Sequence, residues 1–342
     1  MKYSFVVPIY EDGSLARDFC VELDKVFRDY LKTERIEADV EVIFVDDGSR
    51  NDSARIVKET IKDFPFAKLI VLSRNFGQHV AISCGYRYAR GQYVGMLNVD
   101  QEDPPSQLVV LLDTLKSGDY DIVGGLYAKR DVPVLAKATS YFFHLLLNRL
   151  TGYDVPVNTS TARVMNRNFL DAYNALSERS RYIPGLEMWL GFRYGRVPVT
   201  HQRRRVGKSS YNFRRRMRMA TESIISFSDY PLKLAVKFGF VVVSVGLLLL
   251  VALIMDKLFF RAFLPGYVST ITAVVLLGGI QVMVTGVASI YIGRILAEVQ
   301  GRPLFVVRET FGDLERQARS RQARFDEGAQ RARSCESGTD LE

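Results

Sequence analysis

Five short apolar runs, rich in β-branched and aromatic residues, recur over the first 125 positions: SFVVPIY (4–10), VEVIFVDD (40–47), AKLIVLS (67–73), YVGMLNVD (93–100) and DIVGG (121–125). Between them, roughly 14–31, 53–63, 77–89 and 106–116 carry helical patterns. This alternation predicts an α/β domain, a mostly parallel sheet covered by helices. Ligands of such sheets bind beyond the carboxyl ends of the strands. That rule selects 8–12, 46–49, 73–78 and 98–103, and three of these four segments contain carboxylates.

Further along, the pattern loses its polar positions. Residues 238–255 (FGFVVVSVGLLLLVALIM) and 267–293 (YVSTITAVVLLGGIQVMVTGVASIYIG) contain no charge. About 20 mostly apolar residues cross the hydrocarbon of a bilayer. Two transmembrane helices are expected, at about 234–256 and 267–293, with Lys237 snorkelling to the interface. Only 256–266 separates them, so they form a hairpin. Its loop holds Lys257 and Arg261, whereas the outer ends hold Lys233, Lys237, Arg294, Arg302, Arg308 and a block from Arg203 to Arg218 with no acid in it. Positive charge marks the cytoplasmic side. The expected organisation is therefore a cytoplasmic catalytic domain (1–210), a juxtamembrane amphipathic helix (211–232), the hairpin (233–293) and a cytoplasmic tail (294–342) whose end is disordered. Residues 132–150 and 211–227 read as interfacial helices; a core helix is the alternative for the first.

Charge and cysteine content sharpen this picture. The net charge is +8, concentrated in the arginine block beside the apolar stretches. That placement points to lipid phosphates and not to nucleic acid. Cys20, Cys84 and Cys335 are odd in number and scattered, and form neither a disulfide framework nor a zinc pattern. The N-terminus lacks the features of a signal peptide. No G-x-G-x-x-G or Walker A motif is present, which disfavours a dinucleotide fold or a P-loop.

The acidic segments carry the candidate chemistry. Asp46-Asp47-Gly48-Ser49 can accept hydrogen bonds from a base or ribose, or can be an ordinary turn with a helix cap. Asn98-Val99-Asp100-Gln101-Glu102-Asp103 brings a strand into three acids before a proline pair. Mg²⁺ is often held by one or two carboxylates together with substrate phosphates.

In order and spacing, VVPIYEDG, VIFVDDGSRNDS, LSRNFGQHVAI, ARGQY and NVDQEDPP resemble the family 2 glycosyltransferases of GT-A fold. The resemblance is strongest to the polyprenyl-phosphate branch, which includes bactoprenol glucosyltransferases and dolichol-phosphate mannose synthases. It continues through RVMNR (163–167), PGLEMWLGF (184–192), RRRVGKSSY (203–211), SFSDYPLK (226–233) and YIGRILAEVQGRP (291–303). It implies inverting transfer of a hexose from a nucleotide diphosphate sugar, UDP-glucose first, to polyprenyl (undecaprenyl) phosphate. A UDP-modified sugar or GDP-mannose is the alternative donor. It also implies a bacterial inner-membrane location, a homo-oligomer (a tetramer among the options) and a Mg²⁺ or Mn²⁺ cofactor.

The resemblance further implies residue roles. Pro8, Tyr10, Asp12, Asp46, Asp47, Arg74 and Asn98 would bind the donor nucleotide. Asp100 and Glu102 would hold the metal. Arg130, Lys137, Ser140, Ser209 and Tyr211 would meet the acceptor phosphate, and Asp100, Lys137, Arg204 and Arg205 would be catalytic. His79 would approach the nucleotide. Three positions depart from the family pattern: Asn98 and Thr161 stand where Asp is usual, and Tyr127 where Arg is common. The departures at Asn98 and Thr161 motivate a rival, a non-catalytic membrane relative. A processive polysaccharide synthase is disfavoured, because the single tryptophan, Trp189, lies outside any Q-x-x-R-W motif.

Overall fold

The computed structural model describes residues 1–127, 159–199, 230–260 and 266–314. The chain divides into two compact units, one of which holds the described residues 230–260 and 266–302. The expected interfacial helices, at 132–150 and 211–227, and the tail beyond 314 lie outside the described residues.

The first unit is built on an eight-stranded mixed sheet in the order β7-β5-β6-β4-β1-β2-β3-β8. The strands are β1 (Tyr3–Ile9), β2 (Val40–Asp46), β3 (Ala67–Leu72), β4 (Tyr93–Met96), β5 (Ile122–Tyr127), β6 (Thr159–Asn166), β7 (Tyr194–Val199) and β8 (Val307–Phe311). β1 to β4 are mutually parallel where they pair. β6 runs antiparallel to β4 and β5, and β8 antiparallel to β3. The first three strands are buried along their whole length. Strands covered on both faces read as continuous apolar runs, which is why the pattern revealed them. Pro8 sits in β1 beyond Val6, where pairing with β4 has ended. Its missing N–H therefore costs no bond on that side.

Helices α1 (Ala16–Leu31), α2 (Ser53–Asp63), α3 (Gln78–Tyr88) and α4 (Ser106–Ser117) fill the connections between successive parallel strands and into β5. α1 turns Phe19, Cys20, Leu23 and Phe27 inward at helical spacing, where they join Phe5, Phe44 and Leu112 in one core. Two further helices, α5 (Arg167–Ala175) and α6 (Ile183–Trp189), follow β6. At the amino ends of the strands Glu41 is buried and fully used. It takes Ser4 Oγ at 2.5 Å, Lys68 Nζ at 2.6 Å and the Arg90 N–H at 2.8 Å. A buried carboxylate needs such company, because removing one partner of such a pair typically costs about 3–5 kcal/mol.

The second unit contains α7 (Tyr230–Phe260) and α8 (Tyr267–Val299), which contact each other. At about 1.5 Å per residue each is longer than a bilayer's hydrocarbon is thick. Phe240, Leu248, Val282 and Val299 are all at least 70% exposed. Among the described residues, one stretch, Leu277–Val299, meets the length and composition required of a membrane span, with mean hydropathy 1.6.

The chain traverses β1, β2 and β3 in one direction and then returns to place β4 on the other side of β1. That reversal opens a crevice at the carboxyl ends of β1 and β4. It is this edge that the acidic segments occupy.

Candidate active site

Each of the four parallel strands runs into a left-handed backbone turn at this edge. Glu11 has φ 64°, Gly48 φ 67°, Gly77 φ 99° and Gln101 φ 55°. For the two non-glycine residues this conformation costs of order 1–3 kcal/mol, and such strain clusters at functional sites. The first two loops are stitched together. Ser49 Oγ accepts from the Glu11 N–H at 2.9 Å and donates to Asp46 Oδ1. Asn51 Nδ2 donates to the Glu11 carbonyl at 2.9 Å. Asp12 turns back to accept the Tyr10 N–H at 2.9 Å, leaving the Tyr10 ring exposed.

Asp46 and Asp47 are both buried, and they do different work. Asp47 clamps the third loop, accepting the Phe76 N–H at 2.7 Å and the Gly77 N–H at 2.9 Å. Arg74 lies over the Phe76 ring at 4.1 Å, and its charge acts on Asp47. Burial pushes the Asp47 carboxyl up to about 6, although both backbone bonds oppose it. Burial also raises Asp46, with Ser49 opposing. Asp46 Oδ2 is buried and has no hydrogen-bond partner.

The raised Asp47 value has a thermodynamic consequence. The folded protein keeps this proton up to about 6, whereas the unfolded chain releases it near the ordinary 3.8. Stability from this group is present at low pH and is lost as pH rises through that window. Two pK units correspond to about 3 kcal/mol. Asp47→Asn is therefore expected to stabilise the fold near neutral pH by about 1–2 kcal/mol, after about 1 kcal/mol for one lost acceptor. Melting curves of the two proteins should separate near neutral pH and converge near pH ~4. A pH-independent difference would contradict the assignment.

The three departures from the family pattern lie in one hydrogen-bonded network. Asn98 Nδ2 donates to Thr161 Oγ1 at 3.2 Å, and Thr161 Oγ1 donates to Asp103 Oδ2 at 3.0 Å. Ser160 Oγ reaches the same oxygen at 2.6 Å, and Tyr127 OH lies 3.0 Å from both oxygens of Asp103. Gln78 Nε2 donates to Asn98 Oδ1 at 3.0 Å, so both polar atoms of that carboxamide serve the protein. Asn98, in the loop after β4, thus bridges the start of α3 and the start of β6. Behind this network, Arg163 Nε holds the Thr161 carbonyl at 3.1 Å, and Arg163 forms a buried ion pair with Glu187 at 2.7 Å. Burial lowers the His79 imidazole to about 4, with the Arg163 charge adding to the effect, so His79 is neutral at neutral pH.

The acid set suits a hard cation that shares substrate oxygens. Three hydroxyl groups occupy Asp103, and Asp100 and Glu102 are the metal-holding candidates that the family resemblance implies. Among the described residues no cluster of three or more His, Cys, Asp or Glu side chains could enclose a metal by itself. Two carboxylates with the rest of the shell from phosphate and water is ordinary for Mg²⁺. Arg130, Lys137, Ser140, Arg204, Arg205, Ser209 and Tyr211 lie outside the described residues.

The family model described as glycosyl transferase family 2 matches residues 4–173, which include all four loops and the Asp103 network. The uncharacterized glycosyltransferase YkcC of Bacillus subtilis (strain 168) is 31% identical over 313 residues, covering 91% of this chain and 95% of that protein. The chain belongs to glycosyl transferase family 2. The SfII prophage-derived bactoprenol glucosyl transferase of Shigella flexneri is 28% identical to this glycosyltransferase over 310 residues, covering 91% and 98% of the two chains. A prophage bactoprenol glucosyl transferase homolog of Escherichia coli (strain K12) is 27% identical over 308 residues, covering 90% and 99%. In this family 2 glycosyltransferase Ser160 is the network residue that the sequence pattern did not single out, whereas Gln78 and Asp103 fall in the segments it selected. The available signal was the polar string Thr159-Ser160-Thr161, which enters a strand without apolar alternation.

Proposed function

We propose that this glycosyltransferase moves a hexose from a nucleoside diphosphate sugar to a polyprenyl phosphate at a membrane surface. UDP-glucose and undecaprenyl phosphate are the favoured pair, and the product serves cell-envelope glycan modification. The observation that carries the reading is the full-length likeness to proteins named bactoprenol glucosyl transferases. A match of 310 residues in a chain of 342 extends beyond the sheet into the long apolar helices. The exposed apolar side chains of α7 and α8 support a two-helix membrane anchor. The charge distribution supports a catalytic domain and both termini on the cytoplasmic side of a bacterial inner membrane. A homo-oligomer accords with the family.

In this reading an acceptor phosphate oxygen attacks the anomeric carbon. The bond from that carbon to the diphosphate breaks, its electron pair leaves with the nucleoside diphosphate, and configuration inverts. Asp46 and Asp47 hold the nucleoside end, with Pro8, Tyr10, Asp12 and Arg74 around it. Asp100 and Glu102 would hold the Mg²⁺ or Mn²⁺, which neutralises charge on the departing diphosphate. Arg130, Lys137, Ser140, Arg204, Arg205, Ser209 and Tyr211 would receive the acceptor phosphate, since guanidinium groups match phosphate oxygens. Thr161 supplies no base, because its hydroxyl is committed to Asp103. None is required: a phosphate monoester with a second pKa of about 6 is already ionised at neutral pH.

The test offers purified protein a panel of UDP-glucose, a UDP-modified sugar and GDP-mannose, with undecaprenyl phosphate, with and without EDTA. Thin-layer chromatography of the lipid products should show one glycolipid, from UDP-glucose, that disappears with EDTA. Absence of lipid product from every donor would overturn the reading. A product from another donor alone would reassign the sugar.

A further inference from the structure

The segment after the last long helix returns to the sheet and carries a cation toward the nucleoside end of the site. β8 pairs antiparallel with β3, and Ser73 N–H donates to the Val306 carbonyl at 2.9 Å just past the end of β3. The strand is held on its outer face by Lys58, whose Nζ lies 2.9 Å from Glu309 and 3.8 Å from the Phe311 ring centroid. Beyond it, Arg90 reaches Asp313 at 3.3 Å.

The pairing is irregular at one point. Val71 stands opposite Glu309, but Leu72 stands opposite Val307, so Arg308 is an extra residue with no partner on β3. Bulges of this kind re-aim a side chain, and they are over-represented next to active sites. Asp46 lies in the same row: it pairs with Val71, which pairs with Glu309. The Arg308 charge acts on Asp46, opposing the effect of burial on that carboxyl. The two groups nevertheless form no ion pair within 4.0 Å: Arg308 Nε lies 3.6 Å from Glu309 Oε1, its other nitrogens are left for a ligand, and Asp46 Oδ2 remains buried and unpartnered. A buried acceptor without a donor costs about 1–3 kcal/mol unless a ligand supplies one.

We propose that Arg308 is a donor-binding residue, which with Asp46 brackets the nucleoside of the nucleoside diphosphate sugar. The bulge aims the guanidinium, Asp46 Oδ2 supplies the acceptor, and the ligand's N–H or O–H groups fill the gap between them. This rests on the reading of the Asp46–Asp47 end as the nucleoside end. It makes a stretch of sequence beyond the apolar helices, outside the family-model match, part of the donor pocket.

The experiment measures UDP binding by calorimetry, and donor KM and kcat by lipid transfer, for the full-length protein in detergent. Arg308→Gln is expected to weaken UDP binding and raise donor KM about tenfold, with kcat and acceptor KM little changed. Arg308→Lys should recover part of the affinity, since it retains the charge without the fork. Lys58→Gln removes the Glu309 pair and the Phe311 ring contact that hold the same strand, without touching Arg308, and should leave donor KM within about twofold, as expected for a partly exposed pair. Equal UDP affinity in wild type and Arg308→Gln would overturn the proposal. A rise in donor KM in Lys58→Gln matching that in Arg308→Gln would also overturn it, because docking of the strand would then be the cause. Wild-type protein that binds no UDP or GDP would instead remove the reading of the site on which the proposal rests.

Discussion

Asp100→Ala is expected to abolish sugar transfer, by about a thousandfold or more, in a protein that stays folded. Asp100 is the one acid in the segment after β4 that is both buried and outside the hydroxyl network of Asp103. Its Oδ1 accepts the Glu102 N–H at 3.3 Å, which fixes the turn containing the left-handed Gln101. Loss of that long bond by itself costs about 1 kcal/mol or less. Loss of a cation holder beside a departing diphosphate leaves its charge unneutralised, and that penalty falls on the transition state. The expected signature is therefore a collapse of kcat, with the protein eluting normally in detergent and giving a wild-type circular dichroism spectrum. Mn²⁺ binding in the presence of UDP, followed by electron paramagnetic resonance, should weaken in parallel. Asp103→Asn makes a contrasting variant: it releases Tyr127, Ser160 and Thr161 from a carboxylate and should lower the melting temperature as well as activity. Wild-type turnover in Asp100→Ala would remove the metal assignment.

The parts of this molecule that were legible in the chain are those where one kind of force acts alone. β1, β2 and β3 are buried on both faces, so their apolar runs stand out, and the observed bounds agree with the expected ones to within a residue. The expected strand at 93–100 ends at Met96 instead, because Asn98 and Asp100 leave the ladder to build the loop. β6, β7 and β8 were not anticipated. β7 and β8 are the two edges of the sheet, with a neighbour on one side only. An edge tolerates Pro198 and the charged residues Arg308 and Glu309, and so loses the apolar pattern that identifies a strand. β6 hides its polar face by feeding Ser160 and Thr161 to Asp103 and Arg163 to Glu187. The acids at the strand ends could be found because carboxylates after apolar runs are conspicuous. The network linking them could not, since Asp103 and Thr161 are 58 residues apart and only the sheet brings them together. The departures at Asn98 and Thr161 motivate a non-catalytic rival. Membership of the glycosyltransferase family speaks against that rival, and the two residues hydrogen-bond each other beside Asp103.

Gly48→Ala is the substitution expected to damage donor binding most without touching a charge. Gly48 sits at φ 67°, where an added Cβ is strained by about 1–2 kcal/mol. The surroundings make it worse: that Cβ would lie 2.4 Å from the Arg74 carbonyl carbon and 2.7 Å from the Asn75 nitrogen. Both are backbone atoms, so no rotamer change relieves the clash. The loops after β2 and β3 must separate, and separation breaks the two bonds from Phe76 and Gly77 to Asp47. Overpacking of this kind typically costs about 1–3 kcal/mol. Converted at about 1.4 kcal/mol per decade, the combined penalty predicts a loss of UDP affinity of about thirtyfold or more. Gly191→Ala distinguishes general strain from this close approach. Gly191 also has a left-handed backbone, at φ 69°, but nothing lies within 4 Å of its added Cβ, and it is remote in sequence from the four loops. It should lower the melting temperature slightly and leave UDP affinity unchanged. If Gly48→Ala bound UDP as tightly as wild type, the two loops would not form a single nucleotide-holding surface, and the clamp by Asp47 would have no part in donor recognition.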